Sequence, residues 1–432
     1  MKKLLWVGDD PDSPSGFGVA TKKILQSLDY RLGGQYDVAV LGMNAKGDPG
    51  TVPYHVYLAG VGGDGFGVKR IAQLAHKVQA DVIVIQQDGW NIQAYIEQLR
   101  QFKETKDIPV VAAVAVDGKN FNGEWLRNVS HAIFWTQFAL DEAREGGYHG
   151  PASVIPLGVD LDTYKPLDKT ATRKMHNTAL AEVLGNEKNF IIGNVNRNQP
   201  RKRWDLTIRY FAKWIEDNNI NNAWLYMHAA PTGDASINVI DLARYYNCLD
   251  RTLYVETPIF TGITEEKMCK TYNCFDVCIS TTQGEGMGLP ALEAMACGVP
   301  CLLPDWSAFG DWAKDAAVLV PCTSTHVDFP YVNVIGGVVD EVEFIAELDK
   351  LYRDSNWRMQ IGGNGLRRVN EERFRWESIG QRYAVIVEGL LADVEAKKAE
   401  KTVIEQNEER HEEMQKRLVD RRMKIMSGEV SA

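Results

Sequence analysis

What constrains this chain most is a rhythm. Short unbroken runs of Val, Ile, Leu and Ala alternate with helix-length amphipathic stretches, and after a polar interval the rhythm begins again. In the first half the runs cover residues 4–7, 38–41, 82–86, 110–116, 132–135 and 153–156. Most are unbroken rather than alternating, which predicts strands covered on both faces, as in a parallel sheet. Helix-length segments such as 20–28, 68–78 and 91–102 lie between them. The polar interval spans 168–188, after which residues 190–195, 224–227, 253–255, 277–280 and 299–303 repeat the pattern. Repeated β-α-β units predict an α/β protein of two doubly wound, Rossmann-like domains in tandem, linked near residues 158–187. A ligand is then expected in the cleft where the carboxyl ends of both sheets converge.

Composition excludes several alternatives. The 432 residues exceed what one hydrophobic core serves, and 45% apolar with 25% charged residues is an ordinary globular mixture. A mainly disordered chain, a collagen-like one and a disulfide-stapled miniature are thereby excluded. The longest apolar run, 110–116, falls well short of the roughly 20 residues that span a bilayer. The opening MKKLLWVGDD is too short for a signal sequence and reads as a first strand, so a cytoplasmic protein is expected. A net charge of −10 works against coating nucleic acid by bulk electrostatics but leaves room for a local basic groove. All seven cysteines lie between Cys248 and Cys322, without a C-x-x-C pair. The spacings Cys274/Cys278 and Cys297/Cys301 suggest a metal site, but small buried thiols in a reducing compartment are the stronger reading.

Beyond residue 392 the composition shifts to Glu, Lys, Arg and Gln, with neither Gly nor Pro across 393–424. Glu412 with Lys416, Glu413 with Arg417 and Asp420 with Lys424 have the i,i+4 order that supports an exposed helix. Ile404, His411, Leu418 and Ile425 recur every seven residues, with Met414 beside them. The expectation is a charged helical tail over 392–432. A weak coiled-coil seam for self-association competes with a solvated helix, and His411, Asn407 and Arg421 at seam positions favour the solvated one.

The segment richest in chemistry is 280–300, STTQGEGMGLPALEAMACGVP. A strand ends, a turn bearing Gly284, Gly286 and Gly288 follows, and a helix opens at Leu289-Pro290. Glycines let backbone approach a ligand closely, and N–H groups at a helix start attract phosphate. Glu285 lies in the turn and Glu293 eight residues on along the helix. Two carboxylates bracketing a phosphate-ready helix start are far more specific than a glycine turn alone. The basic loop RNQPRKR, 197–203, holds Arg197 and Lys202, which read either as solvated charges or as partners for an anion.

EGMGLPALE, with its E-x7-E spacing, resembles the signature of the family-4 retaining glycosyltransferases, which have the GT-B fold. Arg197 and Lys202 in NRNQPRKRWDL resemble that family's R-x4-K segment, and IPLGVDLDTYKP (155–166) its interdomain linker. FRWE (374–377) is similar to the start of its closing helix, and Ser15-Gly16-Phe17-Gly18 to its N-terminal glycine loop. The likeness spans roughly 3–390, close in the second half and loose in the first.

The resemblance implies an N-terminal acceptor domain over 1–168, with helix 378–391 packing back onto it, and a C-terminal donor domain over 169–377. It implies transfer of a hexose or pentose from a nucleotide diphosphate sugar, with Arg197 and Lys202 stabilising the leaving diphosphate. Glu285 would lie against the donor sugar and Glu293 would hold the ribose hydroxyls. Backbone N–H groups around Gly286, Met287, Gly288 and Leu289, and around Gly16 and Gly18, would cradle phosphate. Retention would follow by front-face attack, so Glu285 is not read as a covalent nucleophile.

One departure concerns the first half. Many members carry a His after the strand corresponding to 110–116; here it ends VAVDG, leaving Asp117 as the nearest candidate, equally readable as a turn residue. Asp88, in QQDGW, shares that ambiguity. His228 follows a strand and reads as a donor-facing or a structural residue. Asp160-x-Asp162 mimics a metal motif, but its linker context makes the match accidental, and neither an obligatory metal nor another obligatory cofactor is expected.

The acceptor stays open among glycan, lipid-linked sugar, protein and modified nucleobase. Residues 1–185 hold 19 Lys plus Arg against 21 Asp plus Glu, without a dense basic patch for a duplex, although folding could join Lys22-Lys23 to Lys69-Arg70. Trp90, Phe121 and Trp125 read as stacking platforms or, more simply, as core or rim. The alternatives to the leading reading are the same transfer directed at a modified DNA base, a GT-B sugar phosphorylase, and a non-catalytic nucleotide-sugar-binding protein.

Overall fold

The structure, a computed structural model, describes residues 1–32, 35–45, 52–174, 181–232, 237–254, 263–328 and 332–427. Val255, residues 175–180 of the polar interval and residues 428–432 of the tail lie outside that set, as do the side chains of Arg421, Lys424 and Ile425. The chain divides into two compact units, Met1–Tyr383 and Ala384–Ala432.

The first unit contains two seven-stranded sheets among the described residues. In the first, β1 (Lys2–Asp9), β2 (Tyr36–Met43), β3 (His55–Leu58), β4 (Val82–Asp88), β5 (Val110–Ala115), β6 (His131–Phe134) and β7 (Ala152–Val154) pair in the order β3-β2-β1-β4-β5-β6-β7, all parallel. The second comprises β8 (Phe190–Val195), β9 (Ala223–His228), β10 (Thr252–Tyr254), β11 (Val277–Ile279), β12 (Cys301–Asp305), β13 (Val318–Asp328) and β14 (Val334–Val339). Its order is β10-β9-β8-β11-β12-β13-β14, parallel except for the β13–β14 hairpin. This is the doubly wound architecture expected. Strand β3 and the hairpin are additions that the apolar runs did not reveal.

Helices cover both faces because the central strands are apolar throughout. Leu4 to Val7 and Val82 to Ile85 are all buried. In the second domain the helix Trp204–Asp217 puts Trp204, Ile208 and Phe211 on one face at i, i+4 and i+7, each at most 1% exposed. Burying a side chain of that size contributes about 1.5–3 kcal/mol.

Strand order reverses between β1 and β4 in one sheet and between β8 and β11 in the other, and at such switch points the crossovers part to leave a crevice. The hairpin bridges the two domains: Lys119 N–H donates to the Ile335 carbonyl at 2.9 Å, and Ile335 N–H returns the bond at 3.1 Å. Asp311 accepts from the N–H groups of Gln137 (2.6 Å) and Phe138 (3.2 Å), so a second-domain carboxylate serves the first turn of the helix Gln137–Glu145. After residue 374 the chain returns to the first domain, where Tyr383 meets Trp6 at 6.1 Å between rings and Gly380 lies against Ser27.

The second unit is the remainder of the helix Trp376–Met426. Along it Lys401 meets Glu405 at 3.8 Å and Arg417 meets Glu413 at 3.9 Å.

Candidate active site

The loop after β8 turns through the 3-10 segment Pro200–Lys202 and enters the next helix with Arg203 at φ 50°. That turn sends two consecutive cations toward the crevice. Lys202, buried, places Nζ 2.5 Å from Glu285 Oε1. Arg201 bonds Glu285 Oε2 at 3.1 Å and the Gly284 carbonyl at 2.7 Å, while its Nε lies 3.1 Å from Asp117 Oδ2 in the other domain. Glu285 N–H donates to Ser307 Oγ at 2.9 Å. The four charged side chains form one network across the domain boundary.

Electrostatics follow from burial against pairing. Burial would raise the Glu285 carboxyl, but Lys202 and Arg201 outweigh it and hold the group down at about 2. Burial, with the neighbouring Arg201 charge, pulls Lys202 down to about 8 against the attraction of Glu285. Asp117 is raised by burial and by Glu285, against the pull of Arg201. Asp88, at the end of β4, is pushed up to about 7 by burial, then by the charges of Asp117 and Asp9 against Arg201. Asp9 ends β1 and accepts from the Ser15 hydroxyl of the glycine loop. Three carboxylates thus stand at the carboxyl ends of adjacent strands β1, β4 and β5.

The glycine turn fits close against the first domain. A Cβ on Gly284 would lie 1.6 Å from the Asp117 carbonyl oxygen, and one on Gly286 would touch Ala115 and Trp135. Gly288, at φ 83°, precedes the helix Leu289–Ala296 in a conformation that L side chains rarely adopt. Met287 is buried, its carbonyl accepting from Trp312 Nε1 at 2.8 Å. Gly16 faces Leu289, where a Cβ would come within 3.6 Å of its Cδ1, so the two glycine turns meet. Gly18 has a structural requirement: a Cβ there would lie 2.4 Å from the Ser13 carbonyl oxygen.

Other candidates stand apart from the network. Arg197 is exposed on the same loop, with Asp9 among its electrostatic neighbours, and Arg201 occupies the bridging position instead. Glu293 accepts from Tyr272 OH at 2.7 Å and hydrogen-bonds Tyr164. Burial lifts it to about 7 against those two phenols. His228 is half-buried, its Nδ1 has no hydrogen-bond partner among the described residues, and burial lowers it to about 4, so it is a neutral imidazole at pH 7. Arg201, Asp9 and the tyrosines went unassigned from sequence. Arg201 was visible within RNQPRKR and Tyr164 within IPLGVDLDTYKP, but Asp9 and Tyr272 carried no motif.

Other residues singled out in the sequence have the following contacts. Asp160 accepts from the N–H groups of Asp162 and Thr163 and pairs with Lys23 at 2.7 Å, the work of a turn and an ion pair. Lys22 pairs with Asp12 at 3.2 Å. Phe121 and Trp125 pack edge to face on the first core, whereas Trp90 and Phe66 form a partly exposed pair 5.8 Å apart. All seven cysteines are free, six of them buried. Among the described residues no group of three His, Cys, Asp or Glu side chains is arranged to hold a metal ion, and no helix is long and apolar enough to cross a membrane.

Two facing Rossmann-like domains with a charged crevice at paired switch points define the GT-B architecture. Solved structures share it: sucrose-phosphate synthase from Thermosynechococcus elongatus matches with a TM-score of 0.69 at 17% identity, covering 91% of this chain and 100% of that one. Anabaena HepE in complex with UDP-glucose matches with a TM-score of 0.64 at 16% identity, covering 90% of this chain and 100% of that one. More particularly, residues 190–327 match the family model described as glycosyl transferases group 1. A D-inositol 3-phosphate glycosyltransferase from Geodermatophilus obscurus is 32% identical over 170 residues, 37% of this chain and 35% of that protein. The chain thus spans about a third of that curated relative.

Proposed function

We propose that the chain is a retaining glycosyltransferase of the family-4 type, moving a sugar from a nucleotide diphosphate sugar to an acceptor hydroxyl by front-face attack. The observation that carries this reading is the network Asp117–Arg201–Glu285–Lys202, set at the switch points and closed over by a glycine turn. A buried ion network of this kind costs several kcal/mol of desolvation per ion and is weak support for a fold. It is well suited to a ligand whose charge changes during reaction.

Lys202 has three N–H donors and uses one on Glu285, leaving two for phosphate oxygens of a departing diphosphate. Arg201 keeps Glu285 ionised and aligned, so that it accepts from donor-sugar hydroxyls. Arg197 adds positive charge from the same loop. Glu293 takes the ribose, and the backbone at Gly286, Met287, Gly288 and Leu289, with Gly16, lines the phosphates. Gly18 shapes that loop, and His228 offers a neutral ring. Asp117, fixed by Arg201, orients the acceptor hydroxyl, whose proton passes to the leaving phosphate. Neither metal nor further cofactor has a role in this scheme. The acceptor domain is assigned to 1–168 and the donor domain to 169–377, and the free thiols suit a cytoplasmic setting.

The name glycosyltransferase borne by the relative and the UDP-glucose held by HepE make UDP-sugars the first donors to try. The edge formed by Asp9, Asp88 and Asp117 would repel a phosphate backbone, so nothing there favours DNA as the acceptor. UDP-, GDP-, ADP- and TDP-sugars are to be screened for thermal stabilisation, and the best for slow hydrolysis without acceptor. One nucleotide should stand out, because a bound ligand stabilises by RT ln(1 + [L]/Kd). Turnover with free phosphate in place of nucleotide would favour the phosphorylase, and binding without hydrolysis the non-catalytic protein.

A further inference from the structure

We propose that Tyr272 and Tyr164 are positioning residues for the donor's ribose: the two phenols hold the Glu293 carboxylate from separate parts of the chain so that its remaining lone pairs meet the sugar diol. The inference rests on the reading of Glu293 as the ribose carboxylate and adds what makes that carboxylate usable.

Tyr272 belongs to the helix Glu265–Asn273 and is completely buried, its OH 2.7 Å from Glu293 Oε2. Tyr164 comes from the interdomain linker, is 4% exposed, and hydrogen-bonds the same carboxylate. The rings lie 6.1 Å apart at 64°, and Tyr272 also packs edge to face on Phe275 at 6.0 Å. A buried phenol requires a hydrogen-bond partner, and here both use one carboxylate. An ionised carboxylate offers about four acceptor positions, so two phenols leave room for a vicinal diol. Without them, a glutamate on a helix face has several rotamers and no fixed aim.

The other groups facing Glu293 sharpen the argument. Glu265, on the helix that carries Tyr272, repels it. Lys23 pairs with Glu265 at 3.3 Å and with Asp160 at 2.7 Å, offsetting that repulsion. Cys297, which caps the end of the same helix, lies one turn beyond Glu293. Burial raises Glu293 to about 7 while the two phenols pull it down. Only the ionised carboxylate accepts both hydroxyls, so donor affinity should rise with pH through that value and then level off. Removing a phenol raises the carboxyl further and displaces the rising limb to higher pH.

The test measures binding of UDP and 2′-deoxy-UDP to the full chain by calorimetry, from roughly pH 6 to roughly pH 9. The proteins are wild type, Tyr272→Phe, Tyr164→Phe and Glu293→Gln, each shown to be folded by thermal unfolding. Loss of a hydrogen bond to a charged group predicts UDP binding about 10-fold weaker for Tyr272→Phe at pH 7. The deficit should shrink toward pH 9, and the preference of UDP over its deoxy analogue should narrow. Tyr164→Phe should move the same way by less, and Glu293→Gln should flatten the pH profile. A loss of affinity equal at every pH, or no loss, overturns the proposal and leaves Glu293 its role if Glu293→Gln alone is affected. Failure of folded wild type to bind UDP or any other nucleoside diphosphate would bring down the parent reading with it.

Discussion

The two carboxyl edges that face each other carry opposite chemistry. On the first sheet, β1 and β4 end in Asp9 and Asp88 and Asp117 follows β5, held close enough that burial and mutual repulsion raise Asp88 to about 7. On the second, the loop after β8 supplies Arg201 and Lys202, whose charges hold Glu285 near 2. Carboxylates of one chain, in one crevice, are thus driven in opposite directions: burial and repulsion win on the first edge, the two cations on the second. The family match, residues 190–327, also falls wholly on the second sheet and its helices. In the proposed scheme, donor chemistry is therefore written in motifs and acceptor chemistry in local arrangement.

The largest effect should come from breaking the cationic side. Lys202→Ala leaves Glu285 buried beside Arg201 alone, and removing one partner of a buried pair typically costs about 3–5 kcal/mol. Donor hydrolysis should fall on the order of 10²- to 10³-fold, as for the loss of a preorganised charge at a leaving group. The double variant Lys202→Met/Glu285→Gln should recover most of the stability without the activity. Urea unfolding beside a hydrolysis assay separates the two, and an active double variant would remove this pair from the chemistry. Acid provides a second handle. Because Glu285 is depressed in the fold, its stabilisation is complete above its unfolded value and is lost as pH falls from about 4.5 through about 2.

The arginines sharpen the contrast next. Arg201→Ala should lower transfer on the order of 10²-fold, since it frees Asp117 and Glu285 together, whereas Arg197→Ala should cost less, on the order of 10-fold. Steady-state kinetics with the best donor would order them. The reverse order would return the leading role to Arg197.

That distinction also shows what the chain disclosed before folding. Both arginines lie in RNQPRKR, and spacing to Lys202 favoured Arg197. Only the 3-10 turn at Pro200 aims residue 201 at Glu285 and leaves 197 exposed. Central strands were legible because burial on both faces demands unbroken apolar runs, as in 82–85 and 110–114. Strand β3, HVYL, and the distal part of β13 are largely exposed and carry polar residues, so they produce no such run. Glu285 and Glu293 announced themselves through glycine and helix chemistry. Asp88 read equally as a functional or a turn residue, and Asp9 and Tyr272 drew no reading of their own, because partnership across the fold has no local signal.

On the acidic edge the expected effect is smaller and opposite in sign. Asp88 is raised, so its contribution to stability is greatest below its unfolded value near 4 and falls as pH rises toward about 7. Asp88→Asn should therefore raise Tm by on the order of a few degrees at pH 8 and have a vanishing effect near pH 4. Nucleotide binding should be unchanged, because no donor group touches this edge in the proposed scheme. A weakened donor affinity would mean that the edge serves both substrates.

The smallest effect is expected from the second unit. A helix with Ile404, Met414 and Leu418 roughly half exposed looks like half of a coiled coil, yet His411 and Asn407 interrupt the seam. Its pairs, Lys401 with Glu405 and Arg417 with Glu413, are exposed contacts of the kind that contribute about 0.3–0.5 kcal/mol each. Many weak local terms of this kind sustain a solvated helix. Removing 392–432 should leave the number of chains per particle and the donor affinity as they were, with sedimentation equilibrium as the measure. A particle that loses half its chains on truncation would instead make this stripe a dimer seam, and the two crevices would then act in pairs.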